Sequence, residues 1–243
     1  NWVRIKGINR VTNFPMIATA YGRISNIKFE NIELEKLDRT KTRNFGIIGH
    51  AAGNVSNVRF TDIVIDSSYR DEYTAGRHGG GYTNNVALIS MLSGAASNVK
   101  IDGVYVQADA TGVTSTNTTS AFVGYSNSTA SFNNIEAKNI SILSGDRYYT
   151  GGIVGYMNGA TKLTGITLTD FAIFANVDAG GVAGYAAATT YGRTMNNIIV
   201  KDGFMIGRVR VGGVIGQGYL VNSTDASPSV VDNVFVMGDY HVG

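Results

Sequence analysis

Apolar residues alternate with polar ones in short runs that return at intervals along this chain. In Ser25-Asn26-Ile27-Lys28-Phe29-Glu30-Asn31-Ile32-Glu33-Leu34, Ile27 and Phe29 fall on one face, and Ile32 and Leu34 resume the pattern after a break. A period of two is the signature of a strand with one face buried. Six further segments follow the same template, led by Asn57, Asn98, Asn134, Gly165, Asn197 and Asn233, at steps of 31, 41, 36, 31, 32 and 36 residues. The inward sets are Val58, Phe60, Ile63 and Ile65, then Val99, Ile101, Val104 and Val106, then Ile135, Ala137, Ile140 and Ile142, then Ile166, Leu168, Phe171 and Ile173. The sixth copy keeps Ile198 and Val200 and then slips by one residue to Phe204 and Ile206. The seventh keeps Val234 and Val236 and loses the pattern at Asp239 and His241.

Two positions per copy interrupt the alternation. The first is Asn26, Asn57, Asn98, Asn134, Gly165, Asn197 and Asn233; the second is Asn31, Asp62, Gly103, Asn139, Asp170, Asp202 and Gly238. Only Asn, Asp and Gly stand there, the residues that enter left-handed backbone most readily or bond their own turn. They predict two corners per copy. Asn side chains stacked from copy to copy predict a hydrogen-bonded ladder.

A third strand is expected ahead of each copy, in Gly46-Ile47-Ile48-Gly49, Ala121-Phe122-Val123-Gly124, Gly151-Gly152-Ile153-Val154-Gly155, Gly180-Gly181-Val182-Ala183-Gly184 and Gly212-Gly213-Val214-Ile215-Gly216. Met16-Ile17-Ala18 and Leu88-Ile89-Ser90 fill the same slot, and Tyr125, Tyr156 and Tyr185, which follow it, predict a tyrosine stack. A unit of three short strands cannot bury its inner face alone, whereas stacked units share one core. The expected fold is therefore all-β, a right-handed parallel β-helix of about seven coils forming a single domain over residues 1–243. At about 4.8 Å per strand the stack rises roughly 30 Å. A β-sandwich would not return the same corners at these intervals.

Composition sharpens this picture. Of 243 residues, 31 are Gly, two are Pro and none is Cys, so disulfides, thiol catalysis and Cys-based zinc sites are excluded. Glycine runs at roughly twice ordinary usage but without the strict period of collagen, and a hydrophobic fraction of 44% argues against disorder. Gly151-Gly152-Ile153-Val154-Gly155-Tyr156-Met157-Asn158-Gly159 resembles a GLUG repeat, a glycine-rich motif of bacterial secreted and surface proteins; the Gly180 and Gly212 copies resemble it less fully. The opening, where Phe14-Pro15-Met16-Ile17 leads to Ile24-Ser25-Asn26-Ile27, resembles the β-helical region of streptococcal immunoglobulin A1 protease-type zinc metallopeptidases. The resemblance implies a secreted or cell-surface bacterial protein, associated with virulence or adhesion, whose catalytic zinc peptidase part lies elsewhere. Two ragged ends to the repeat predict an excerpt of a longer multidomain chain.

The family's zinc site needs two His one helical turn apart with a Glu between them. His50, His78 and His241 have no such spacing, so the family's catalytic residues map onto nothing here and the chain is not expected to be an enzyme, nor to carry a metal or cofactor. Polysaccharide hydrolysis or elimination needs paired carboxylates or acidic metal ligands, and Asp62, Asp170 and Asp202 are occupied as corner residues. The longest insertion, residues 66–85, carries Tyr69, Arg70, Asp71, Glu72, Tyr73, Arg77 and His78. It should share a side of the coil with the segments at 35–45, 107–119 and 143–150, which places Arg147, Tyr148 and Tyr149 near it. Its plain reading is a polar surface insertion; its functional reading is a binding loop for a glycan or peptide on a rigid scaffold.

Net charge is +2, which argues against a nucleic-acid partner, and no apolar run is long enough for membrane insertion. Residues 1–45 nevertheless hold nine Lys/Arg against four Asp/Glu. As strand-surface charges they need only solvent; as a field they would favour an anionic wall polymer. The leading expectation is a non-catalytic scaffold, spacer or substrate-positioning module in contact with neighbouring domains of the same chain. The alternatives are a polysaccharide-active enzyme centred on Arg70, Asp71 and Glu72, and an adhesin for host glycan or protein such as immunoglobulin.

Overall fold

A computed structural model describes residues 2–37, 42–68, 83–108, 117–145, 148–187, 192–218 and 230–242. Within them the chain is a parallel β-solenoid without a helix. One sheet holds eight long strands in chain order, β1 (Val3–Thr12), β3 (Ile24–Lys36), β6 (Val55–Asp66), β9 (Ala95–Ala108), β12 (Ser131–Ser144), β15 (Lys162–Ala175), β18 (Thr194–Gly207) and β21 (Val230–Val242). A second has seven short strands, β2 (Ile17–Ala20), β5 (Ile48–Ala51), β8 (Ile89–Leu92), β11 (Val123–Ser126), β14 (Val154–Met157), β17 (Ala183–Ala186) and β20 (Ile215–Gly218). A third has six, β4 (Thr42–Phe45), β7 (Thr83–Val86), β10 (Asn117–Ser120), β13 (Tyr148–Gly151), β16 (Asp178–Gly180) and β19 (Arg210–Gly212).

Both predicted corners are left-handed: φ is 58° at Asn26, 53° at Asn98, 52° at Asn31 and 54° at Asp62, and similar at their counterparts except Gly238, whose backbone is extended (φ 158°) and which pairs with Gly203 instead of the Asp202 corner. They do not end the strand. Pairing runs through them, so that β12 and β15 stay in register from Ser131↔Lys162 to Ser144↔Ala175. Each turn thus has one long kinked strand and two short ones rather than three equal short strands. The glycine-rich slot is also displaced from its expected place. Gly46-Ile47 and its equivalents form the bend between the two short strands, where Ile47, Leu88, Phe122, Ile153 and Val182 point inward and are fully buried.

Three copies depart from the expected pattern. β1 is an eighth strand ahead of the first copy, pairing Ile5↔Phe29 and Ile8↔Ile32 and placing left-handed Gly7 (φ 67°) opposite the Asn31 corner. The sixth copy does not slip. Its partners are Phe171↔Gly203, Ala172↔Phe204 and Ile173↔Met205, so Met205 is the buried residue and Phe204 faces outward. The reason is volume: a β-carbon on Gly203 would lie 2.0 Å from the Phe171 ring, so glycine leaves the inner position to the neighbouring phenylalanine. The seventh copy continues to pair past Gly238, with Phe204↔Asp239 and Ile206↔His241 in the backbone.

The core is continuous along the stack. Phe29 and Phe60 stack with centroids 5.2 Å apart, Phe60 meets Phe122 at 6.3 Å, and Phe122 meets Phe132 edge-on at 6.1 Å. Such aromatic pairs stabilise by about 1 kcal/mol each beyond their burial.

Candidate functional site

The expected binding loop, Tyr69, Arg70, Asp71, Glu72, Tyr73, Arg77 and His78, lies outside the described residues, as does Arg147. The edge from which it departs is described. Glu35↔Asp66 and Asp66↔Gln107 are register partners, so these insertions leave from one side of the solenoid. Asp66 Oδ1 accepts from the Ser68 amide at 2.8 Å and the Ser68 hydroxyl at 2.5 Å, which turns the chain out of the sheet. Tyr148 opens β13, its backbone paired with Asn117.

Tyr149, expected on the loop side, belongs to another feature. The column after the glycine slot runs Thr19, His50, Met91, Tyr125, Tyr156, Tyr185 and Gln217 down the second sheet. The tyrosines stack as the pattern predicts, with centroids 5.1 Å apart for Tyr125–Tyr156 and 5.0 Å for Tyr156–Tyr185. Tyr149 lies on this column, 4.4 Å from Tyr185 and 5.8 Å from Tyr156. It reaches there because the two short sheets fold against each other at the glycine bend. A β-carbon on Gly184 would stand 2.4 Å from the Thr150 nitrogen, so only glycine admits this approach.

Arg193 is fully buried beside this stack and donates to the Ala187 carbonyl. Burial pushes its pKa down, and the neighbouring Tyr156 and Tyr185 push it back up. Burial raises the Tyr156 pKa, and the flanking tyrosines raise it further, against a lowering from Arg193. Burial alone raises that of Tyr125. Both shifts favour the neutral phenol at Tyr125 and Tyr156, on a half-buried strip. At the other end of the column His50 Nε2 lies 2.9 Å from the Ser93 hydroxyl. Among the described residues no group of three His, Cys, Asp or Glu stands close enough to hold a metal ion.

The second feature was not singled out from the sequence. On the outer face of the long sheet, between the two corners, a shallow groove of about 570 Å³ is lined by Arg59, Thr61, Lys100, Asp102, Glu136 and Lys138, among others. Lys100 Nζ pairs with Glu136 at 2.7 Å and Lys138 Nζ with Asp102 at 3.1 Å. Toward β1 the same face turns wholly basic in its first column, and Trp2 lies over Lys28 and Arg59. The signal was present as the residue between the inward pair in the first three copies: Lys28, Arg59 and Lys100. Reading each copy along its length hides it, because the column exists only across copies.

Comparison of the chain with protein-family models, with curated proteins and with solved structures finds no match. Among the described residues no helix is long and apolar enough to cross a membrane.

Proposed function

We propose that the chain is a non-catalytic, rigid spacing and presenting module, a right-handed solenoid of seven coils that holds flanking parts of a larger protein at fixed separation. The observation that carries this reading is the continuous parallel pairing of the eight-stranded sheet, which persists across a register shift between β18 and β21. Each long strand pairs along nearly its whole length with the next, and seven strand steps set a distance of about 34 Å. Right-handedness follows from the rule that parallel crossovers take that hand in about 98% of cases. The sequence resemblance supports a secreted or surface bacterial parent of the immunoglobulin A1 protease-like metallopeptidase type, with neighbouring domains, a host immunoglobulin or a glycan as partners.

Native-state hydrogen exchange tests the mechanical claim. Amides of β6, β9, β12 and β15 are expected to exchange only in a shared, denaturant-dependent opening; coil-by-coil exchange at separate rates would remove the rigid spacer. Coding sequence on either side tests the parent, which requires a His-Glu-x-x-His zinc motif. Incubation with wall polysaccharides should release no oligosaccharide, and turnover that disappears in an Asp71→Asn, Glu72→Gln variant would favour the enzyme instead.

A further inference from the structure

Four cations occupy one column on the outer face of the long sheet. Arg4, Lys28, Arg59 and Lys100 are direct register partners in β1, β3, β6 and β9. They therefore share a face, about 4.8 Å apart from strand to strand and about 14 Å from first to last. Like charges placed opposite one another across strands cost stability. The fold offsets that cost at the two ends only, where Arg4 Nε meets Glu30 at 2.8 Å and Lys100 Nζ meets Glu136 at 2.7 Å. The two middle cations, Lys28 and Arg59, have no carboxylate partner among the described residues. Both instead lie against the Trp2 ring, 5.4 Å and 5.1 Å from its centroid. That ring remains 42% exposed.

We propose that this column binds a linear carboxylated polysaccharide laid along the axis of the stack, its carboxylates facing successive cations. Three observations select this ligand. A strand step of about 4.8 Å is on the scale of one sugar residue, so a uronate chain lying along the column presents charge at intervals its cations can meet. Trp2 presents an apolar surface beside the charges, suited to the C–H face of a pyranose. Beyond Lys100 the column turns to Glu136, which pairs with Lys100, and then to Thr167, while Lys138 and Asp102 pair alongside, so the run of like charge ends at β9 and sets the length of the site. A single-stranded nucleic acid would need a series of aromatic platforms for its bases, and the groove offers one ring. The site lies on a sheet face and stands whether or not the spacer reading holds.

The chain contains a single tryptophan, so its fluorescence reports this site without any substitution. The protein is titrated with polygalacturonate, with the fully methyl-esterified polymer and with a single-stranded DNA oligomer. Polygalacturonate is expected to change Trp2 emission, and its affinity should fall at least tenfold as salt rises from about 0.02 M to about 0.2 M, since exposed charges are screened over that range. The esterified polymer should leave the emission unchanged. A Lys28→Gln, Arg59→Gln variant should bind at least tenfold more weakly with unaltered far-ultraviolet dichroism. A Lys162→Gln, Arg208→Gln variant, which removes the same charge elsewhere, should bind as the parent does. Unchanged Trp2 emission at saturating polygalacturonate and low salt overturns the proposal. So does an equal loss in both double variants, or tighter binding of the DNA than of the polyuronate.

Discussion

Asn98 shows what a corner demands of one residue. Its φ of 53° is left-handed, and its side chain donates to Asn57 Oδ1 at 3.2 Å and accepts from Asn134 Nδ2 at 2.8 Å. Left-handed backbone costs an ordinary residue about 1–2 kcal/mol, and each hydrogen bond contributes about 1 kcal/mol. Asn98→Gly should therefore lose the ladder alone, while Asn98→Ala loses the ladder and strains the backbone. In urea unfolding the Ala variant is expected to be about 1 kcal/mol less stable than the Gly variant; equal stabilities would show that backbone conformation does not select Asn here. Gly203 makes the opposite point, because its φ is unremarkable and its role is volume. Gly203→Ala should cost about 1–3 kcal/mol by overpacking against Phe171, and a second change, Phe171→Leu, should recover part of the loss. Absence of any recovery in the double variant would place the cost elsewhere. The corners were legible from residue type alone, since few side chains tolerate that backbone. Gly203 was misread as a slip because the alternation Phe204–Ile206 is as good a strand pattern as Gly203–Met205, and only the ring of Phe171 in the neighbouring strand decides between them.

At the level of elements, the solenoid is a long kinked strand followed by two short strands folded tightly on each other. The fold-back explains why β10 is buried on both faces, with Asn117, Thr118, Thr119 and Ser120 all inaccessible. Its Thr118 hydroxyl is satisfied within the layer, donating to Asn85 Oδ1 at 2.9 Å. It also explains how Tyr149, on a different strand from Tyr156 and Tyr185, enters their stack. This packing makes a prediction in alkali. Because burial raises the folded-state pKa of Tyr156 and Tyr125 above 10.0, the native protein retains protons that the unfolded chain releases. Their contribution to stability is thus complete below 10.0 and is lost as pH rises through 10.0 toward the higher folded values. Urea midpoints should fall over that window, and Tyr156→Phe should flatten the decline; an identical slope in the variant would remove Tyr156 as its source. The tyrosine column could be read from the sequence because its members share one offset from a glycine motif. Tyr149 could not, because its offset matches that of a loop.

For the whole molecule, stability is expected to add coil by coil, each contacting only its neighbours. Asn134–Thr164 is one repeat of 31 residues, and Asn133 and Thr164 are register partners. Its deletion would join Asn133 to Gly165 and superimpose one coil on the next. The shortened protein should keep its β-type dichroism and a single cooperative transition at reduced denaturant midpoint. Loss of the folded transition would mean that this coil is indispensable rather than one of a series. The same one-dimensional logic places the cation column: a charge repeated at one position per coil becomes a line of charge along the axis, whatever the lengths of the insertions between.

The sequence by itself determined that this protein is a repeating parallel β fold and, for the first five copies, where its corners lie and which residues face the core. Those properties follow from local chemistry, the period of two and the few residues that accept positive φ, and each copy states them again. Only the tertiary structure decided that the glycine slot is a bend, that β1 is an eighth strand, that Phe204 faces outward and that Arg4, Lys28, Arg59 and Lys100 stand in line beneath Trp2. These are relations between residues tens of positions apart, and they are set by how neighbouring coils fill one another's space, which no single copy contains.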